Sequence, residues 1–364
     1  MKKITSALTM ILATVFLITA FSSSAWSAVS GKCSNCHTMH NSQGGTQMSS
    51  GDPSPDAGFA TLLTNDCVGC HTGTNNGSNT TPYVYSISEP TYGTDTLAGG
   101  NFYWVKTQDA KGHNVFADNP DSLTQPPGAS FTCGGNDCHS NISEINPIAL
   151  PGLAGRQGCT KCHMISNSAD GPKGYHHADD SNVVVGSEAG DTDGFFRFLS
   201  GHLSADGHGV SGIEDSDWQY TRSASDHNEY LGHVGDHSVS SETLTQHTMT
   251  GFCVACHGNF HTQDTGSGWV RHPADAVIPN SGEYASAFGG TYDPDVPVAR
   301  PSLSTVVSTV TPGTDMVMCL SCHAAHGSPY DDMLRWDYSG MTTGTTGAGA
   351  GEGCFKCHTE KDGI

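Results

Sequence analysis

The chain has 364 residues, with 36 acidic against 15 basic side chains and a formal net charge of −21. That balance argues against nucleic acid as a partner, because binding phosphate needs a basic face. Only 35% of the residues are hydrophobic and 45 are glycine, so the chain lacks material for a large aliphatic core and needs something else to fold around.

The first segment is an export signal. Met1, Lys2 and Lys3 form a basic start, Ile4 to Phe21 is largely apolar, and "SSSAWSA" offers small residues for cleavage after about Ala25 or Ser27. The signal is taken as 1–27. No later stretch is apolar enough to span a bilayer, and no cysteine is left over to carry a lipid, so no membrane span is expected after cleavage.

All 14 cysteines then fall into pairs followed at once by histidine. Six pairs are C-x-x-C-H: Cys33/Cys36/His37, Cys67/Cys70/His71, Cys159/Cys162/His163, Cys253/Cys256/His257, Cys319/Cys322/His323 and Cys354/Cys357/His358. The remaining one, "CGGNDCH", is third in chain order and puts four residues between Cys133 and Cys138 before His139. A lone C-x-x-C is equally a zinc knuckle or a redox dithiol. An immediate histidine after every pair is instead the signal for c-type haem: two thiols bond the porphyrin vinyl groups and the histidine takes the iron. The expectation is seven covalent haems c, with these seven histidines proximal, numbered below by chain order. Haem of this kind is attached outside the cytoplasmic membrane, in agreement with the export signal.

Between the motifs no segment has a long amphipathic helical period. "GSNTTPYVYSIS" and "VVVGSE" read as short strand pieces, and "GMTTGTTGAGAGEG" as a flexible linker before the last motif. The expected fold is therefore mostly irregular coil with short helices at the motifs and few short strands, a multihaem cytochrome c fold organised around its chain of covalent haems. Its segments are 28–163 (haems 1 to 4), a cysteine-free, histidine-rich lobe at 164–252, and 253–364 (haems 5 to 7). Phe195, Phe196, Phe198, Leu199, Trp218 and Tyr220 are expected to pack the lobe.

Thirteen histidines remain after the proximal seven, eight of them in 164–252. If every iron takes a second histidine from this chain, the five outside the lobe fall short, so at least two distal ligands lie within it. The first choices are His176 or His177 in "GYHHADD", then His202 and His227. Methionine, with ten residues, is the alternative donor. His40 in "CSNCHTMH" poses a separate question. The two axial ligands of an iron lie on opposite porphyrin faces, and a residue one turn beyond His37 stays on the proximal side, so His40 serves a different iron.

"CSNCHTMHNS", "FYWVKTQDAKGHNV", "CVACHGNFH", "WVRHP", "CLSCHAAHGSPYDDMLRW" and "CFKCHTEK" together resemble the outer-surface multihaem c-type cytochromes of metal-reducing bacteria, particularly the filament-forming hexahaem type. The middle departs from it: two motifs, at Cys133 and Cys159, stand where one is expected, and "GIEDSDWQYTRSASDHNEYLG" is similar to another branch of extracellular cytochromes. The resemblance implies that His113, His261, His272 and His326 are distal ligands and that His40 binds a haem beyond its own segment, favouring the haem of His323 in the next subunit. It implies an exported protein, extracellular or on the outer cell surface with the periplasm as alternative. Other c-type cytochromes, extracellular metal oxides or electrode-like acceptors, and further copies of the chain in a homopolymer are its partners.

Three functions compete. The first is an electron carrier, with no catalytic residues, passing single electrons along closely packed bis-histidine haems. The second is a multihaem reductase of nitrite, hydroxylamine or sulfur oxyanions, which needs an open iron position. The third is a mainly structural filament subunit.

Overall fold

The computed structural model describes residues 34, 37, 42–43, 46–47, 67–79, 81–116, 127, 142, 158–163, 196–199, 210–234, 247–254, 256–257, 272–344 and 351–361. Coil dominates. The helices are short pieces at or beside the attachment motifs, at Cys67–Cys70 and Met249–Val254, with 3₁₀ turns at Gly158–Lys161, Cys319–Ser321 and Gly353–Lys356.

Strands are two or three residues long. β1 (Ser42–Gln43) and β2 (Thr46–Gln47) make a small antiparallel pair. A five-stranded sheet is assembled from β3 (Gly212–Ile213), β4 (Glu229–Leu231), β5 (Ala276–Val277), β6 (Ala299–Arg300) and β7 (Met316–Val317), in the order β3-β4-β6-β7-β5. Only β4 and β6 are parallel, with Tyr230 opposite Ala299. The sheet joins chain on both sides of Cys253, across the boundary expected between lobe and C-terminal segment. The lobe's apolar residues likewise do not pack alone. Phe196 and Leu199 share one core with Val210, Tyr230, Met249, Ala299, Met316, Met318 and Leu320, and Cys162 and Cys253 lie against it. So polar a stretch has too little apolar surface for its own interior and shares one with the C-terminal segment. "GSNTTPYVYSIS" is not a strand: Tyr85 makes one isolated bridge to Thr72. "VVVGSE" lies outside the described residues.

A second core gathers Ile278, Phe288, Tyr292, Val296, Val298 and Val310 beside Cys357 and Trp336. A third joins Phe102, Val105 and Phe116 beside Val68 of the second motif. Each small core thus abuts an attachment motif, as a fold built around prosthetic discs requires.

The sheet is pinned by a buried charge network. Glu229 accepts from the Val307 amide at 2.6 Å and His227 Nε2 at 3.2 Å on one oxygen, and from Arg300 Nε at 2.9 Å on the other. Arg300 also donates to Asp315 and to the Val307 carbonyl. Burial opposes the Glu229 charge, but the hydrogen bonds from His227 and Arg300 outweigh it and hold the carboxyl below its ordinary value. At Asp315 burial prevails and pushes the carboxyl up.

Removing Arg300 strands two buried carboxylates, and Arg300→Ala is expected to cost about 3–5 kcal/mol in denaturant unfolding of the holoprotein. Because the folded Glu229 value is depressed, its contribution is complete above the ordinary glutamate value of 4.5 and fades as pH falls through the folded value. Glu229→Gln should therefore lower the unfolding midpoint at neutral pH and flatten the acid limb of its pH profile.

Candidate haem ligands

Five attachment motifs are described and all fold alike. In each, the histidine amide returns to the carbonyl of the first cysteine: His71 to Cys67 at 3.0 Å, His163 to Cys159 at 2.9 Å, His257 to Cys253 at 3.0 Å, His323 to Cys319 at 3.1 Å and His358 to Cys354 at 3.0 Å. In four of them the second cysteine's amide shares that same carbonyl: Cys162 on Cys159 at 3.1 Å, Cys256 on Cys253 at 3.1 Å, Cys322 on Cys319 at 3.3 Å and Cys357 on Cys354 at 3.3 Å. Cys67 and Cys70 are joined instead by a short α-helix. One closed turn thereby brings two thiols and an imidazole to one place, as attachment and coordination of a single haem demand. The ten described cysteines, Cys256 among them, are half-buried and form no disulfide. A structural zinc needs three or four ligands converging, and among the described residues no such group of three or more occurs.

The imidazoles are also oriented alike. Nδ1 of His71 faces the Pro82 carbonyl at 2.8 Å, that of His163 the Arg197 carbonyl at 2.8 Å, that of His257 the Pro127 carbonyl at 2.7 Å and that of His323 the Asp332 carbonyl at 2.8 Å. A carbonyl only accepts, so each Nδ1 carries the proton and Nε2 keeps its lone pair for iron. Two acceptors are held by unusual backbone: Arg197 has φ of 47° and Asp332 of 59°, left-handed conformations that side chains other than glycine seldom adopt. Arg197 is fixed there by Glu214, which accepts from its amide at 2.5 Å and its guanidinium at 3.3 Å.

Three histidines outside the motifs complete pairs. The His113 ring stands 6.0 Å from that of His257, His326 is 5.9 Å from His163, and His272 is 6.4 Å from His358, centroid to centroid. With imidazole–metal bonds of about 2 Å and centroids about 1.1 Å beyond the ligating nitrogen, two imidazoles on opposite faces of one metal stand roughly 6.3 Å apart. The residues thus fit a six-coordinate iron in all three places. His113 Nδ1 faces the Ala325 carbonyl at 2.7 Å and His272 Nδ1 the Pro273 carbonyl at 3.0 Å, the same arrangement as in the motifs. His326 is half-buried, stacks on Phe102 at 4.7 Å, and has a buried Nδ1 without a hydrogen-bond partner. Burial, reinforced by His163, His113 and His71, pushes its pKa down to about 3, so the ring remains in the neutral, ligating form.

His326 is seated by two glycines. A Cβ on Gly99 would lie 2.8 Å from its Nδ1, and one on Gly100, at φ 85°, would lie 2.0 Å from the Gly327 carbonyl oxygen. The His326 amide donates to Gly99 and the Asn101 amide to Gly327, so the two strips of backbone lie in contact.

The motifs adjoin one another. The Cys253 and Cys319 thiols face each other: that contact, then burial, raises Cys253, and the same contact lowers Cys319 against the opposing effect of burial, while Cys162 and then Cys256, its partner in the same motif, push Cys253 up further. Burial and then Cys354 and Cys357 push Cys322 up to about 12. Once alkylated by haem these sulfurs no longer titrate; their mutual influence shows that motifs 4, 5, 6 and 7 follow one another in space.

His227 stands apart from these pairs. It is fully buried, stacks on Tyr292 at 3.6 Å, and gives both ring nitrogens to oxygen, Nδ1 to the Ser223 carbonyl and Nε2 to Glu229. With both ring nitrogens facing oxygens of Ser223 and Glu229, it belongs to the charge network. His37 is exposed. Cys33, Cys36, His40, Cys133, Cys138, His139, His176, His177, His202 and His261 lie outside the described residues. The acceptors on Pro82, Pro127, Arg197, Ala325 and Asp332 went unnoticed in the sequence; only a proline shortly after histidine, as in "RHP", offered a local signal.

A family model described as a doubled CXXCH motif matches residues 311–363. C-type cytochrome OmcS of Geobacter sulfurreducens is 25% identical over 366 residues, covering 84% of this chain and 78% of the relative. Two solved structures are similar at 19% and 20% identity, an Outer Membrane Cytochrome S filament and OmcS nanowires, both from Geobacter sulfurreducens. Each match covers 87% of this chain and 86% of the other, with TM-scores of 0.47 and 0.46.

The pairings are separable by mutation. Each of His113→Ala, His326→Ala and His272→Ala should convert one low-spin haem to high-spin in the optical and EPR spectra. In protein already lacking haem 7 through Cys354→Ala and Cys357→Ala, His272→Ala should add no high-spin signal, while His113→Ala still does. Gly100→Ala should reproduce the His326→Ala spectrum.

Proposed function

We propose that this chain is a multihaem c-type cytochrome that carries electrons outside the cell along seven bis-histidine haems, a reading supported by its doubled CXXCH motif and its similarity to C-type cytochrome OmcS. The observation that carries the reading is the set of three imidazole pairs, 5.9 to 6.4 Å apart, built on motifs of identical turn geometry. His113, His326 and His272 are the distal partners of His257, His163 and His358. Haem supplies the one-electron ferric–ferrous couple. The chain's own residues keep an imidazole on each face of the iron and, in five of the six, orient it through a fixed N–H acceptor, so ligation stays the same in both redox states and reorganisation is small. Adjoining motifs 4 to 7 give electrons a path of short steps. No substrate position is needed, and the protein is an electron carrier rather than an enzyme.

Export and an outer-surface location rest on the leader at 1–27 and on the similarity to OmcS. Among the described residues no helix is long and apolar enough to cross a membrane. Extracellular oxides and other cytochromes are the acceptors and donors in this reading. Assembly into a homopolymer is supported by that relative, described as forming nanowires, and by His323. Its Nδ1 is held by Asp332, yet among the described residues no second imidazole pairs with it. His40 of a neighbouring copy is assigned to that iron, which would fix subunit register and join two haem chains.

Intact mass of the secreted holoprotein should show seven haems, including one at Cys133 and Cys138, and its oxidised spectrum should be low-spin throughout. A five-coordinate haem would instead point to the reductase. His40→Ala should leave a folded, haem-loaded subunit that no longer assembles, judged by electron microscopy and sedimentation; normal filaments from the variant would overturn the assignment.

A further inference from the structure

One of the described axial histidines faces a charged acceptor. His71, His113, His163, His257, His272 and His323 all present Nδ1 to a neutral backbone carbonyl, at 2.7 to 3.0 Å. His358 presents its Nδ1 to a carboxylate, Glu283 Oε1, at 3.5 Å. Glu283 is not a loose surface acid. Its side chain is 13% exposed, and its Oε2 is buried without a hydrogen bond. Gly282 turns the backbone into it at φ 60°. The Thr359 hydroxyl, one residue past His358, donates to the Glu283 carbonyl and meets Ser286 Oγ at 3.0 Å. The adjacent Tyr284 ring packs 5.3 Å from the His358 ring. The facing cation is Lys361, half-exposed, with Nζ 3.7 Å from Oε2.

We propose that Glu283, acting through His358, holds the haem on Cys354 and Cys357 at a lower reduction potential than its neighbours. A charged acceptor binds an N–H about twice as strongly as a neutral one, and it draws the proton further from the ring. The imidazole then becomes the more basic, more electron-donating ligand, which stabilises ferric over ferrous iron. A carbonyl does this weakly, so the six histidines above lack the effect. Lys361 pulls the same carboxylate outward and moderates it. The last motif, adjoining the sixth through Cys322, is thereby the low-potential end of the described run, and an electron leaving it for the neighbouring haem travels downhill.

The proposal rests on the reading of His358 and His272 as one axial pair. Failure of that reading would show separately, as a missing or high-spin haem in the unmodified protein. The test is a spectroelectrochemical titration of full-length holoprotein, with EPR of the oxidised form. Glu283→Gln should raise the midpoint of one haem so that its oxidised-to-reduced ratio falls about tenfold at fixed potential, equivalent to about 59 mV for a one-electron couple. One low-spin EPR signal should change its g values while the others stay put, which simple removal of a distant charge would not produce. Lys361→Gln frees the carboxylate for His358 and should shift the same haem the opposite way. Unchanged midpoints in fully loaded, low-spin Glu283→Gln protein would overturn the proposal. If that variant fails to load its haem, Lys361→Gln decides: a downward shift of one haem upholds it, and no shift overturns it.

Discussion

An imidazole has two nitrogens, and one of them must be given to the protein before the other can be relied on for iron. That requirement organises this molecule. Seven described histidines satisfy it through Nδ1, six on backbone carbonyls and one on a carboxylate. His227 shows the converse: with both nitrogens on oxygen it becomes part of a buried ion network instead.

A glycine-rich, coil-dominated chain suits this task. Regular helices and sheets consume their own carbonyls, whereas irregular backbone leaves carbonyls free to be aimed at ring nitrogens. Pro82, Pro127 and Pro273 lack an N–H and hold φ rigidly, so they present acceptors at little entropic cost. Arg197 and Asp332 reach the same end through left-handed backbone, a strain that neighbouring contacts must offset. Among the described residues regular structure is limited to short helical turns and to strands of two or three residues, five of which tie distant segments into one sheet around the Glu229, Arg300 and Asp315 network.

The apolar economy follows the same logic. Among the described residues the apolar side chains gather in three small cores, each beside an attachment motif. The large flat surfaces that would normally be aliphatic side chains are supplied by the prosthetic groups. This explains how a chain with so few hydrophobic residues is ordered at all, and why its order depends on positions such as Gly99 and Gly100, where two backbones and a histidine meet without room for a methyl group.

The irregular character of the fold and the haem-type C-x-x-C-H motifs were legible in the sequence. The reason is that C-x-x-C-H is a contiguous piece of chemistry, closed by a single turn from histidine amide to cysteine carbonyl. The resemblance also pointed to His113, His272 and His326 as distal ligands, but not to which motif each one meets. That was decided by tertiary structure alone. The His113 ring faces that of His257, and the His326 ring that of His163, contacts between distant parts of the chain that no local spacing records. For the same reason composition grouped Phe196 and Leu199 in a small packed lobe but could not show that Ala299 and Met316 join their core. His227 and the histidines that face the pairs are the same residue type; only the oxygens around each ring, brought there by folding, separate a structural histidine from a ligand.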